Sequence, residues 1–303
     1  MTGPAVSESA NRAASGDFAK YFKLAILVAT SIVLWWQPLF AAARLALSSD
    51  AHTHILLIIP LSVALIYFER KRVPSIASQT GWPGWIVLSA ALLLRTFTAL
   101  RTSSRSPDVV LSLSMFALVL WWMGSVVICC GPGTIRALLF PMCFLLLLVP
   151  APNEVVDWFT QMLQYQSAVA SALLFRIAQV PVTRDALFLS IPGLDIEVAP
   201  QCSSIRSSTM LIVITLLLAH LFLHSNWRKG FLVAASVPFA VAKNAVRIFT
   251  IAELGTRVDS DYLDGKLHHS GGILFLAIGV VMVIILLWIL RRGDVRKSEP
   301  RAQ

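Results

Sequence analysis

Charge is what this sequence has least of. Only 14% of its 303 residues are Asp, Glu, Lys or Arg, against about 25% in ordinary soluble domains, and its mean hydropathy is +0.75. Such a chain cannot coat a globular surface with polar side chains, which excludes a typical soluble enzyme. Cysteine is also scarce. The four thiols, Cys129, Cys130, Cys143 and Cys202, are too few for a disulfide framework in a chain of this length. There is no phosphate loop, no zinc motif and no G-x-S-x-G elbow, so neither cofactor nor metal is expected. The His-Thr-His at 52–54 has an i,i+2 spacing, unfavourable for two ligands on one helix face, and no third ligand lies near it in sequence. A cleavable leader is not expected either: the first apolar stretch, 21–43, is longer than a signal-peptide core and no small-residue cleavage pattern follows it.

What the chain does have is long apolar runs. A bilayer crossing needs about 20 such residues. Runs at 21–43, 53–69, 84–100, 109–129, 135–150, 207–223, 231–251 and 271–290 predict an all-α polytopic membrane protein of about eight transmembrane helices. Pro60 and Pro141 fall inside spans, where neighbouring helices can tolerate them. Cys129 and Cys130 are read as packing, and Cys143, among leucines, as interior. Trp35-Trp36 and Trp121-Trp122 are read as membrane packing or interfacial belt residues. Basic clusters at 69–72, 227–229 and 291–297 fall on one side when the spans are threaded in order. That side is expected to be cytoplasmic, with both termini on it. The whole net charge of +9 then lies there and the remainder is balanced. A basic pI is therefore a topology signal, and no nucleic-acid partner is implied. The expected organisation is a cytoplasmic tail at 1–20, five spans at 21–150, an extracytoplasmic or interfacial segment at 151–206, three spans at 207–291 and a basic tail at 292–303.

Segment 151–206 must begin and end outside on this threading. Its first half, 153–179, mixes Glu154, Asp157, Gln161, Gln164, Gln166 and Arg176 with apolar residues, as an interfacial amphipathic or re-entrant helix does. Pro192-Gly193 then fits a type II turn. Leu194, Ile196 and Val198 alternate with Asp195 and Glu197, the period of a half-exposed strand. The reading is a small β-hairpin that delivers Cys202 to the outer mouth of the sixth span.

Two further groups reach that level. The seventh span carries Lys243, Asn244 and Arg247 near its outer end, on one helix face by i,i+3 and i,i+4 spacing. His268 and His269 precede the eighth span. A thiolate is a nucleophile, histidine transfers protons near neutral pH, and arginine stays charged and can hold an oxyanion. The set suits acyl transfer through a thioester. Taken alone, Cys202 is an apolar filler and Arg247 a snorkelling cation; Lys243, deeper in its span, is a functional candidate by default. Lys243 and Arg247 would also attract an acidic group. A polytopic transporter or channel with an anion path, and a non-catalytic export scaffold, are the rival readings; neither needs the thiol.

At these residues the chain resembles the exosortase/archaeosortase family, from about Ser49 to Arg292. "IEVAPQCSSIRSS" resembles its cysteine motif, "NAVRI" its asparagine–arginine motif and "LHHSGGILF" its histidine motif, in the family's order. "SSDAHTHILLIIPLSVALIYFERKR" and "FPMCFLLLLVPAP" resemble its early segment and its fifth span. The resemblance implies a membrane cysteine peptidase or transpeptidase with Cys202 as nucleophile, Arg247 as essential arginine and His268 as third member; Gly271-Gly272 follow His268 at the family's distance. His269, Asn244, Lys243 and Arg206 are alternative or supporting residues. Where the commonest family pattern is Cys-Ser-Gly, this chain reads Cys202-Ser203-Ser204. The implied partners are exported proteins with a C-terminal tripartite tail: a short motif, often Pro-Glu-Pro, then a membrane span, then basic residues. The resemblance further implies cleavage near that motif, outside a bacterial cytoplasmic membrane, with the acyl group passed to a surface acceptor and membrane lipid around the enzyme.

Overall fold

The computed structural model describes residues 20–70, 82–100, 106–198, 205–258 and 272–298. Among the described residues, six helices are long and apolar enough to cross a membrane, or up to eight if each of two bent helix pairs counts as one span. The fold is all-α and polytopic, with one small sheet. The chain divides into two compact units, Met1–Asn153 and Glu154–Gln303.

In the first unit, the run read as span one is two helices, α1 (Lys20–Leu34) and α2 (Trp36–Ser48), bent by 73°. Pro38 is the cause. It has no N–H for the Leu34 carbonyl and its ring crowds that carbonyl, so the helix breaks three residues earlier, at Trp35. The Nε of Arg95 donates to the freed Leu34 oxygen at 3.4 Å. A 3-10 turn, Asp50–His52, leads into α3 (Ile55–Glu69). Then come α4 (Trp82–Leu100) and α5 (Pro107–Cys130). Gly84 and Gly124 let these two backbones touch: a Cβ on Gly84 would stand 2.8 Å from the Gly124 oxygen. Bulk at either position would part the helices.

The run expected as span five is not one helix. It is α6 (Pro132–Ala137), α7 (Leu139–Phe144) and a 3-10 turn, Leu145–Leu148. The break at Leu138 again stands three residues before a proline, Pro141. Pro60, by contrast, sits inside an unbroken α3. Cys143 is exposed on α7, which corrects its reading as interior, whereas Cys129 is buried. The tryptophan pairs divide the same way. Trp35 and Trp121 are buried and pack at 5.5 Å, their indole N–H groups donating to the Ser114 and Leu27 carbonyls, while Trp36 is exposed.

In the second unit, α8 (Asn153–Ile177, belonging here from Glu154) precedes a three-stranded antiparallel sheet. Its strands are β1 (Thr183–Asp185), β2 (Phe188–Ile191) and β3 (Leu194–Glu197). The expected hairpin is β2–β3, with Ser190 opposite Asp195 and Gly193 at φ 86° in the turn. Strand β1 is additional. It is three residues long, without alternation, and its turn puts Ala186 at φ 50° with no glycine to announce it. The inner sheet face, Leu189, Ile191 and Val198, packs on Ala168, Ala172 and Phe175 of α8 and on Ile248 and Ala252 of the tenth helix.

That helix, α10 (Asn226–Arg257), follows α9 (Ile205–Phe222) and precedes α11 (Gly272–Ser298). Every fourth residue of α10 from Arg228 to Ala252 is buried, the stripe a helix turns towards its neighbours. Leu211, Leu232, Ala240 and Val283 join α9, α10 and α11 in one apolar cluster. At the start of α10 the Arg228 guanidinium donates to the carbonyls of Leu290 and Gly293 on α11, at 3.1 and 2.9 Å. Contacts between α8 and α10 advance together along both helices. A cleft of about 400 Å³ is lined by Met162, Gln166 and Ala170 on one side and by Val237, Pro238 and Val241 on the other. Beyond it Ser167 meets Asn244, and Phe175 meets Phe249 at 5.1 Å. The two helices therefore run side by side in the same direction.

Candidate functional site

The three polar residues that the sequence assigns to one face of α10 are all buried. Lys243 and Asn244 are each 1% exposed and Arg247 is 8% exposed. Each helix packed on α10 supplies a small partner. From α9, the Ser207 hydroxyl accepts a hydrogen bond from Lys243 Nζ at 2.6 Å. From α8, the Ser167 hydroxyl accepts from Asn244 Nδ2 at 3.0 Å. From α11, Gly279 leaves room for the lysine stem: a Cβ there would lie 3.3 Å from Lys243 Cδ. Adjacent residues of one helix thus reach opposite neighbours, Lys243 towards α9 and Asn244 towards α8.

The sheet is fastened to the same place. Gln164, one turn before Ser167, donates from Nε2 to the Val198 carbonyl at 2.8 Å, and the Val198 N–H donates to Leu187 O at 3.0 Å. Val198 lies in the cluster that contains Ile248, the residue after Arg247. Several buried polar atoms here have no hydrogen-bond partner: Asn244 Oδ1, Ser171 Oγ and Ser208 Oγ. A buried unpaired polar atom costs about 1–3 kcal/mol, so each of these three calls for a reason other than packing. Electrostatically the face is positive. Lys243 and Arg247 stand one turn apart, and like charges at that spacing repel. The arrangement can bind an anion, stabilise a developing negative charge, or pair with the N–H and C=O groups of a peptide.

Of the residues singled out from sequence, Lys243, Asn244 and Arg247 come together on α10. Arg206 is exposed on the first turn of α9, whose next two residues, Ser207 and Ser208, are buried. Cys202, His268 and His269 lie outside the described residues. His52 is buried, with Nδ1 3.1 Å from Ser49 Oγ and Nε2 3.3 Å from the Ala151 carbonyl, so it ties two stretches of the first unit together. Among the described residues no three His, Cys, Asp or Glu side chains form a metal-binding group. Sequence reasoning missed Gln164, Ser167 and Ser207. A signal existed for the first two: residues 164, 167, 168, 171 and 172 are polar or small and recur at helical spacing, the pattern of a close helix contact.

A comparison with curated proteins and a comparison with solved structures find no match to this chain. A family model does match, that of the transmembrane exosortases, over residues 35–287. The match takes in nearly all the helices described above, the sheet, and the Lys243–Asn244–Arg247 face. The chain therefore belongs to the transmembrane exosortase family, membrane enzymes of the transpeptidase type.

Proposed function

We propose that this protein is a membrane-embedded cysteine transpeptidase that cleaves the C-terminal sorting tails from exported proteins on the extracytoplasmic side and transfers the acyl end of the trimmed protein to a surface acceptor. In this reading the Cys202 thiolate attacks the scissile carbonyl. Arg247 holds the oxyanion that forms, His268 protonates the departing amine, and the resulting thioester is opened by an acceptor nucleophile or by water. The observation that carries the reading is the packing around Arg247. Val198, in one apolar cluster with Ile248, is four residues before Cys202. Helix α9 begins three residues after it, at Ile205. Three extended residues span at most about 11 Å, so the sequence leaves only a short length of chain between Cys202 and the helix whose Ser207 holds Lys243.

The burial of Arg247 supports the oxyanion role, because a charge–charge interaction strengthens as water is excluded. The unpaired Asn244 Oδ1 and Ser171 and Ser208 hydroxyls suit an extended peptide, whose N–H and C=O groups need partners. The anion-path reading draws on the same two cations, but it predicts activity without a thiol.

The test is to trap the intermediate. A reporter with a tripartite tail is expected to form an adduct on wild-type enzyme that hydroxylamine releases, and none on Cys202→Ala. Arg247→Lys keeps the charge but loses the planar fork of donors, and losing one oxyanion donor costs about 10²–10³ in rate. That variant should leave only a slow trace of cleavage, with normal enzyme level in the membrane. Normal cleavage by Cys202→Ala would end the proposal.

A further inference from the structure

Lys243 carries a positive charge for which the described residues provide no counter-charge. Its side chain is 1% exposed. Its ammonium has three N–H donors, and its hydrogen bond is the one to Ser207 at 2.6 Å. No carboxylate among the described residues pairs with it; on its own helix, Glu253 is engaged by Arg257 at 2.8 Å. The nearest charge along α10 is another cation, Arg247. Burying a charge without a partner costs several kcal/mol, and the doubled positive charge raises that cost.

Snorkelling does not account for the residue. The stem is enclosed where Gly279 of α11 stands aside for Cδ, and the head group is held inward by Ser207 of α9. The residues next in sequence to this pair also carry unsatisfied polar atoms: Ser208 Oγ, on the residue after Ser207, and Asn244 Oδ1, on the residue after Lys243, although Asn244 turns towards α8. Both residues are at most 1% exposed. An ammonium held in place with donors left over is an incomplete site whose missing member is an anion.

We propose that Lys243 is the receptor for an acidic side chain of the peptide substrate, held beside the reacting bond, with Ser207 fixing the ammonium that receives it. The two donors left on Nζ match the two oxygens of a carboxylate. The substrate thereby completes the charge balance of the unit, and a neutral side chain in its place leaves Lys243 unpaired. Selectivity of this kind comes from the cost of an unsatisfied buried group. The proposal rests on the transpeptidase reading, because it assigns the carboxylate to that enzyme's peptide.

The experiment is a binding measurement that needs no catalysis. The full chain in nanodiscs is titrated with a terminally blocked Pro-Glu-Pro peptide and with its Pro-Gln-Pro counterpart, following intrinsic tryptophan fluorescence and thermal stabilisation. Wild type is expected to prefer the glutamate peptide by about tenfold or more, the range for a hydrogen bond to a charged group. Lys243→Met should abolish the preference, Lys243→Arg should keep part of it, and Ser207→Ala should weaken it. Removing an unpaired buried charge should not lower the melting temperature of Lys243→Met, so misfolding does not stand in for loss of recognition. Equal binding of the two peptides by wild type, binding of neither, or an undiminished preference in Lys243→Met overturns the proposal. A preference that depends on Lys243, in an enzyme whose Cys202→Ala variant still cleaves the tailed reporter, would sustain the recognition site and sink the cysteine mechanism.

Discussion

Asn244 and Ser167 allow a prediction in which the smaller deletion does more harm. Asn244 Nδ2 donates to Ser167 Oγ at 3.0 Å, while Asn244 Oδ1 is buried without a partner. Ser167→Ala removes the amide's hydrogen bond and leaves both of its ends unsatisfied. The expected cost is about 1–3 kcal/mol, the penalty for orphaning a buried polar group. Asn244→Leu nearly conserves volume. It loses the same hydrogen bond, worth about 0.5–1.5 kcal/mol, and orphans one hydroxyl, but it also removes the unpaired carbonyl that already costs about 1–3 kcal/mol. These terms roughly cancel, so Asn244→Leu should melt within a few degrees of wild type. The double variant removes every unsatisfied atom of the pair and should melt no lower than wild type. The melting series is read on detergent-purified protein by tryptophan fluorescence, beside cleavage of a tailed reporter in cells. Asn244→Leu should lose cleavage while keeping its stability if, as proposed, the polar end that it removes serves the substrate. A large fall in melting temperature for Asn244→Leu, with Ser167→Ala unaffected, would refute the assignment of Oδ1 as a standing cost.

Three other perturbations follow from the geometry. Gly193 has φ +86° with open space around its Cβ position, so Gly193→Val tests the backbone alone; it should cost about 1–2 kcal/mol locally and slow processing while the protein still inserts, and wild-type processing would count against a positioning role for the turn. Gly84→Ala would drive a methyl to 2.8 Å from both Gly124 O and Ile128 N; overpacking of this kind costs about 1–3 kcal/mol, read as a lower melting temperature and faster maleimide labelling of buried Cys129, against Gly133→Ala, where no atom lies within 4 Å, as the silent control. His268→Ala is expected to abolish reporter cleavage and His269→Ala to reduce it mildly; the reverse pattern moves the assignment by one residue, and two silent variants remove histidine from the mechanism.

Polarity alone carried the first level of this protein. A chain this poor in charge with runs of about 20 apolar residues favours helices that satisfy their own backbone, and six of the eight apolar runs are helices long and apolar enough to cross a membrane, with small shifts of their ends, while the runs at 21–43 and 135–150 are broken. The β2–β3 hairpin was legible for an equally local reason: Pro192-Gly193 and the alternation from Leu194 to Val198 are properties of neighbouring residues. So was the shared face of Lys243, Asn244 and Arg247, which follows from 3.6 residues per turn.

What depended on the tertiary structure is what depends on partners distant in sequence. Pro38 and Pro141 break their helices while Pro60 does not, and which outcome occurs is decided by whether the neighbours can satisfy the freed carbonyl, as Arg95 does for Leu34. Strand β1 is too short to show a period and forms because β2 offers it an edge. Helix α8 reads as amphipathic, but nothing local reveals that its serine and glutamine stripe turns to α10 and to Val198. The depth of Lys243 was visible in its position along the span. That it is enclosed by α9 and α11, with a serine as its hydrogen-bond partner and, among the described residues, no carboxylate paired with it, is a property of packing, and periodicity carries no information about which helix will face which.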